Sequence, residues 1–312
     1  MTDQVQLLRQ VRLALQNNDF ESAIDALQQA ATLARESGDS AGEGRHLGNL
    51  ALIYYRVQRP DKALHYFEHA LASARADKDR LTEDGILGNM GNILREVGRH
   101  DEAITYLNQA LLIAQEIGDV RGRGIWLANL GLVYDDLSHY QDAIEVHQES
   151  VNVARIMRDQ RGLASRLGNL GNSLLAAGNS SEALKCFHEV VAIYKELGDK
   201  SEAALRMGII GNINSELGRA APNDFEATFY YGLALDAYRD TLVMAQELDD
   251  KVGEGDLLTS MGNVYGNMAD YDQAINHFTA ALQIFGALGL EDRAEYIRTN
   301  LSLAQNYRAG QR

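Results

Sequence analysis

The residues able to do chemistry in this chain are few and poorly grouped. Cys186 is the only cysteine, and His188 is two positions away. Residues two apart on a helix point in different directions, so a thiolate–imidazole pair is not expected there. Cys186 reads as a packing residue, and a single thiol forms no internal disulfide and no thiolate zinc site. His65 and His69 are four apart and could share a metal on one helix face, but zinc needs further ligands and only Glu68 is adjacent. Asp135 and Asp136 are consecutive, so they do not flank a substrate as a working pair of carboxylates would. The segment GNMGN at 88–92 has the look of a phosphate-binding turn, but no strand precedes it and it recurs along the chain. No catalytic residue, metal ligand or cofactor site is assigned, and an enzyme is not expected.

That recurrence leads to the elements that carry these residues. Shifting the sequence by 40 residues lays LGNLALIYY (47–55) on LGNMGNILR (87–95), then on segments starting at 127, 167 and 207. Ala23, Ala63, Ala103, Ala143 and Ala183 recur in the same phase. After Gly218 the register slips by eleven residues and resumes through Ala234 and Ala274. Apolar residues within each unit fall three and four apart, the period of an amphipathic helix. Leu87, Met90, Ile93, Leu94 and Val97 make one stripe; Ala103, Ile104, Leu107, Leu111 and Ala114 make a second, after a break at Gly98. Each unit is therefore two helices, the second ending near Gly118-Asp119, where glycine can stop one helix and aspartate cap the next. The presence of only two prolines agrees with an all-α chain.

Gly91, Gly131, Gly171, Gly211 and Gly262 share one position in the first helix, held by Ala51 in the second unit. Small residues there allow close approach of the paired helix, a gain that offsets about 1 kcal/mol of lost helix propensity each. With Leu127, Gly131 and Tyr134 in a first helix and Ala63, Phe67 and Ala70 in a second, the units resemble the tetratricopeptide repeat. The 40-residue length and the NLGN core are similar to the subclass of kinesin light chain and Pins-type adaptors. The resemblance implies an all-α, right-handed superhelical solenoid of about seven helix pairs plus a closing helix from about residue 291. It would form one domain over residues 1–312.

The same resemblance implies a concave wall made by the first helices, on which asparagines hold a partner peptide through its backbone. One series is Asn49, Asn89, Asn129, Asn169 and Asn300; a second is Asn92, Asn172, Asn212 and Asn263. Each offers a donor and an acceptor, and asparagine has no helix-propensity reason to recur there. The alternative is that NLGN belongs to the generic repeat and stays where nothing binds. Gly48, Gly88, Ala128, Gly168 and Gly208 stand where carboxylate clamps carry lysine or arginine, so capture of a C-terminal carboxylate is not expected. Arg45, Arg56 and Arg95 would make one end of the groove basic; Asp135, Asp136 and Glu216 would make the rest acidic.

Net charge is −15, which opposes nucleic acid and anionic lipid and favours a partner with a basic segment, or serves solubility alone. The N-terminal stretch does not read as a signal peptide and no apolar run is long enough to span a bilayer, so the expected setting is cytoplasmic. The leading function is a protein-interaction scaffold. A self-associating structural protein and a peptide-sensing regulator are the alternatives. Arg298 replaces the leucine of positions 47, 87, 127 and 167, which reads as a polar cap and leaves a monomer or closed dimer. The eleven inserted residues, near 219–229, contain Pro222, Asn223 and Asp224, which predict a helix start that extends the second helix backward by two turns or more. Phe225, Phe229 and Tyr230 would then project as a contact surface or fold onto neighbouring repeats.

Overall fold

The computed structural model describes residues 2–310, with side chains from residue 4 onward. The described residues form fifteen helices arranged as seven pairs and a last helix, the all-α repeat architecture expected. The first helices are α1 (Thr2–Gln16), α3 (Ser40–Arg56), α5 (Arg80–Glu96), α7 (Val120–Asp136), α9 (Gln160–Ala176), α11 (Lys200–Ala220) and α13 (Lys251–Asn267). Their partners are α2 (Phe20–Glu36), α4 (Pro60–Ala76), α6 (His100–Ile117), α8 (Tyr140–Met157), α10 (Ser180–Glu196), α12 (Asp224–Glu247) and α14 (Tyr271–Ala287); α15 (Glu291–Gly310) follows. Two compact units result, one of α1–α8 up to Asp159 and one of α9–α15 from Gln160.

Within each pair the glycine column performs as its spacing predicts. An added Cβ would lie 2.6 Å from Leu107 at Gly91, 2.4 Å from the His147 ring at Gly131 and 2.9 Å from Phe187 at Gly171. Gly211 and Gly262 meet Tyr238 and Phe278 at 2.4 and 2.6 Å. The recurrent alanines 23, 63, 103, 143, 183, 234 and 274 are fully buried, so the second helix lies flat against the first.

The aspartate boundaries cap as expected. Asp39, Asp79, Asp119, Asp199 and Asp250 each accept a hydrogen bond from the backbone N–H three residues on. Asp79 also accepts from the Thr82 hydroxyl at 2.7 Å, and these bonds hold its carboxyl below the usual range. Asp79→Ala is expected to cost about 1 kcal/mol in a urea melt at neutral pH. A folded pKa below the unfolded one gives stability that is present above the unfolded pKa and lost as pH falls through the folded one. The Asp79→Ala deficit should therefore shrink in acid.

Every turn between helices except the one joining α11 to α12 places one residue in the left-handed region, at positions 18, 38, 58 and so on to 198, then at 249, 269 and 289. Six are glycines; Asn18, Gln58, Lys78, Ser138, Arg158, Asp249 and Ala269 are not. Glycine is thus not required for the turn, because packing of the two helices pays the strain of a non-glycine residue there.

The eleven extra residues are shared between two helices. α11 runs 21 residues where other first helices of the interior run 17, and α12 begins at Asp224 and runs 24. Asn223 caps α12, its Oδ1 accepting from the Glu226 N–H at 2.9 Å. Gly218 packs on Tyr231, 2.6 Å from a would-be Cβ, repeating the Gly211–Tyr238 contact seven residues outward on both helices. The backward extension of α12 is as expected from Asn223 and Asp224; α11, by contrast, runs through Gly218, the equivalent of the Gly98 break, as far as Ala220. Phe225 is 82% and Phe229 57% exposed, and Tyr230 is half-buried with its ring against Phe229.

Candidate peptide-binding wall

Inside each unit, first helices of successive pairs touch one another: α5 meets α7, α11 meets α13, and α13 meets α15. Side chains on these helices are therefore neighbours across repeats. In the first unit Asn49 is exposed and Asn89, Asn92 and Asn129 are half-buried. In the second, Asn172 and Asn212 are exposed and Asn169, Asn263 and Asn300 half-buried. None of the nine lies in the closed interior.

Several already hold local partners. Asn89 Nδ2 donates to the Gly85 carbonyl at 2.8 Å, one turn back on α5. Asn92 Nδ2 donates to the Tyr55 hydroxyl and to Glu96, each at 3.2 Å, while the Tyr55 hydroxyl donates to Glu96 at 2.6 Å, a bridge from α3 to α5. Asn300 Nδ2 points to Asn263 Oδ1 at 3.5 Å. Asn212 Oδ1 accepts from the Tyr238 hydroxyl at 2.7 Å. Burial pushes the Tyr238 pKa up to about 12, so the phenol keeps its proton. With its oxygen occupied, Asn212 offers its NH2 to an acceptor such as a peptide carbonyl.

The charges are less polarised than their order in the sequence suggests. Arg45 is exposed, and Arg56 stacks over the Phe20 ring at 5.0 Å. Arg95 pairs with Asp136 at 3.0 Å across α5 and α7, so members of the expected basic and acidic ends compensate one another. Asp135 turns to its own second helix, where Oδ2 lies 3.0 Å from Nε2 of the fully buried His147. Glu216 pairs with Arg219 at the extended end of α11. His147 stands where other second helices place Phe67, Phe187 or Phe278, a substitution visible in the alignment of repeats.

Two contacts between successive first helices escape sequence reasoning. Trp126 on α7 lies over Gly88 of α5, where a Cβ would be 2.4 Å from the indole, and its Nε1–H donates to the buried Asp84 at 2.9 Å. Gln4 and His46, also 42 residues apart, meet at 3.0 Å between α1 and α3. The available signal was the variability of this column, which reads His46, Ile86, Trp126, Arg166, Arg206, Leu257 and Ile297.

The second unit has a cleft between α11 and α13, over α12, of about 600 Å³. Leu205, Ile209 and Leu257 supply apolar wall, Gly208 lines it without a side chain, and Asn212 and Ser260 bring polar groups. A second cleft of about 480 Å³ between α13 and α15 shares Asp256 and Ser260 and adds Asn263 and Tyr296. Arg293 grips both oxygens of Asp256 at 2.5 Å on that side. The first unit has a cleft of about 620 Å³ near its first interhelix turn, lined by Phe20, Tyr54 and Arg59, away from the asparagine series. Cys186 is buried, and the His65 and His69 rings meet edge to face at 4.7 Å. Among the described residues no three histidines, cysteines or acids are grouped to hold a metal, and no helix is long and apolar enough to cross a membrane.

Models of the tetratricopeptide repeat match residues 5–76, 83–156, 163–197 and 255–287. No curated protein gives a significant match by sequence. Among solved structures, the apo form of RapI aligns over 98% of this chain and 99% of its own, at 15% identity and a TM-score of 0.64. A Rap protein complexed with Competence and Sporulation Factor aligns over all of both chains at 15% identity and a TM-score of 0.51. A kinesin light chain-type protein of Podospora anserina covers 62% of this chain and 95% of its own, at 18% identity and a TM-score of 0.53. These likenesses are of fold.

Proposed function

The chain belongs to the tetratricopeptide repeat family, and on that premise we propose that it is a non-enzymatic cytoplasmic scaffold that holds a segment of a partner protein or peptide along its first helices. The observation that carries this reading is the open cleft between α11 and α13, where Asn212 presents an unshared NH2 beside apolar wall. Backbone carbonyls of an extended segment suit that donor whatever the side chains are, and the apolar walls supply the burial that makes association favourable. The Rap protein complexed with Competence and Sporulation Factor supports the reading as a fold of the same kind with a bound partner. The scaffold is tested by affinity capture from the source cell with wild type and an Asn212→Ala, Asn263→Ala double variant as baits. Calorimetry of the captured segment follows. Each single change is expected to weaken binding per folded molecule by about 1 kcal/mol, roughly fivefold, and Asn212→Ala is expected also to lower the urea midpoint because the Tyr238 hydroxyl loses its acceptor. Equal binding by wild type and the double variant would remove these asparagines from the site.

A further inference from the structure

One helix position recurs as glycine at 48, 88, 168 and 208, and the structure shows it in two states. Between α5 and α7 it is filled from within: the Trp126 ring lies flat on Gly88, and its N–H is taken by Asp84. Between α11 and α13 the corresponding positions are Leu257 for Trp126 and Ala204 for Asp84. Nothing approaches within 4 Å of a Cβ built on Gly208, and the space a ring would occupy is part of the 600 Å³ cleft. That volume is within the roughly 300–1,000 Å³ of pockets that enclose small ligands or anchor side chains. At Gly168 the corresponding residue is Arg206, held by Glu202 at 3.2 Å.

We infer that the α11–α13 cleft takes an aromatic side chain of a partner segment whose flanking residues are basic, with the ring on Gly208 and a backbone carbonyl on the Asn212 NH2. The chain's own tryptophan supplies the template for the ring: a glycine face of a first helix accepts a flat aromatic group without a side chain in the way. Leu205, Ile209 and Leu257 complete an apolar lining, and the hydroxyl of Tyr238 fixes the donor beside it. The charged residues lining the cleft are Asp250, which caps α13, and Asp256, which Arg293 also holds; no cationic side chain lines it, and in a chain of net charge −15 acidic flanks are opposed and basic ones favoured. This inference rests on the scaffold reading and adds to it the chemistry of the anchor.

A displayed library of random peptides panned against the full chain tests it, with Gly208→Leu as a second bait. Open space around Gly208 and its helical backbone let that variant fold, which its unfolding midpoint verifies. The expected result is a set of peptides sharing one aromatic position next to lysine or arginine. They should bind at least tenfold more weakly to Gly208→Leu and, as synthetic peptides, lose as much when the aromatic residue becomes alanine. Retained peptides with no shared aromatic position, or with acidic flanks, would overturn the anchor while leaving the scaffold reading in place. So would aromatic peptides indifferent to Gly208→Leu. A wild-type chain that retains no peptide at all would overturn both.

Discussion

Asp84→Asn is expected to stabilise the protein at pH 7 by about 1–3 kcal/mol. Asp84 is 1% exposed between α5 and α7, and its Oδ1 accepts the Trp126 N–H at 2.9 Å. Burial pushes its pKa from the ordinary 3.8 up to about 6; the Asp119 charge adds to this and the Trp126 hydrogen bond opposes it. Because the folded value is above the unfolded one, the native state binds more protons between them, and stability falls as pH rises from about 4 to about 6. Above that window the carboxylate is ionised in both states and the full penalty is present, about 3 kcal/mol for a shift of about two units. Asparagine keeps the acceptor for Trp126 and drops the charge. Urea midpoints of the two proteins should nearly coincide at pH 4 and separate by pH 7. A gap that is constant with pH, or a variant weaker at pH 7, would show that Asp84 is not a strained carboxylate. Trp126→Phe should act oppositely at pH 7, lowering stability by about 1–3 kcal/mol because the buried carboxylate loses its donor.

The second large effect separates two glycines of one helix. Gly211→Ala should destabilise by about 1–3 kcal/mol, since its Cβ would sit 2.4 Å from the Tyr238 ring. Gly208→Ala should be neutral or stabilise by up to about 1 kcal/mol, because helix propensity improves and nothing lies within 4 Å. Alanine is tolerated at the same column in α3, where Ala51 is fully buried in its pair, so the cost depends on how freely the facing ring can move. Tyr238 is tied to Asn212 at 2.7 Å, which makes the α11–α12 pair an unforgiving one. Paired thermal and urea melts decide the matter; the same sign at both glycines would defeat this account of the column.

Much of this architecture is written in the order of residues. Apolar spacing of three and four marks each helix, Gly-Asp boundaries mark the ends, and the 40-residue period requires helix pairs in series. Gly91, Gly131 and their equivalents announce close packing within a pair because that contact recurs with the repeat. Asn223 and Asp224 announce the early start of α12 through capping chemistry that is local in sequence. Periodicity reports which face of a helix is covered; it does not report which side chain of the next repeat covers it. That depends on the offset and crossing of helices about forty residues apart. Hence the Asp84–Trp126 and Gln4–His46 contacts, the compensation of Arg95 by Asp136 and the turning of Asp135 to His147 emerge only in three dimensions. Gly88 and Gly208 carry the same mark in the sequence, and tertiary structure alone decides that one lies under an indole and the other opens a cleft, because the residue facing each comes from a different helix.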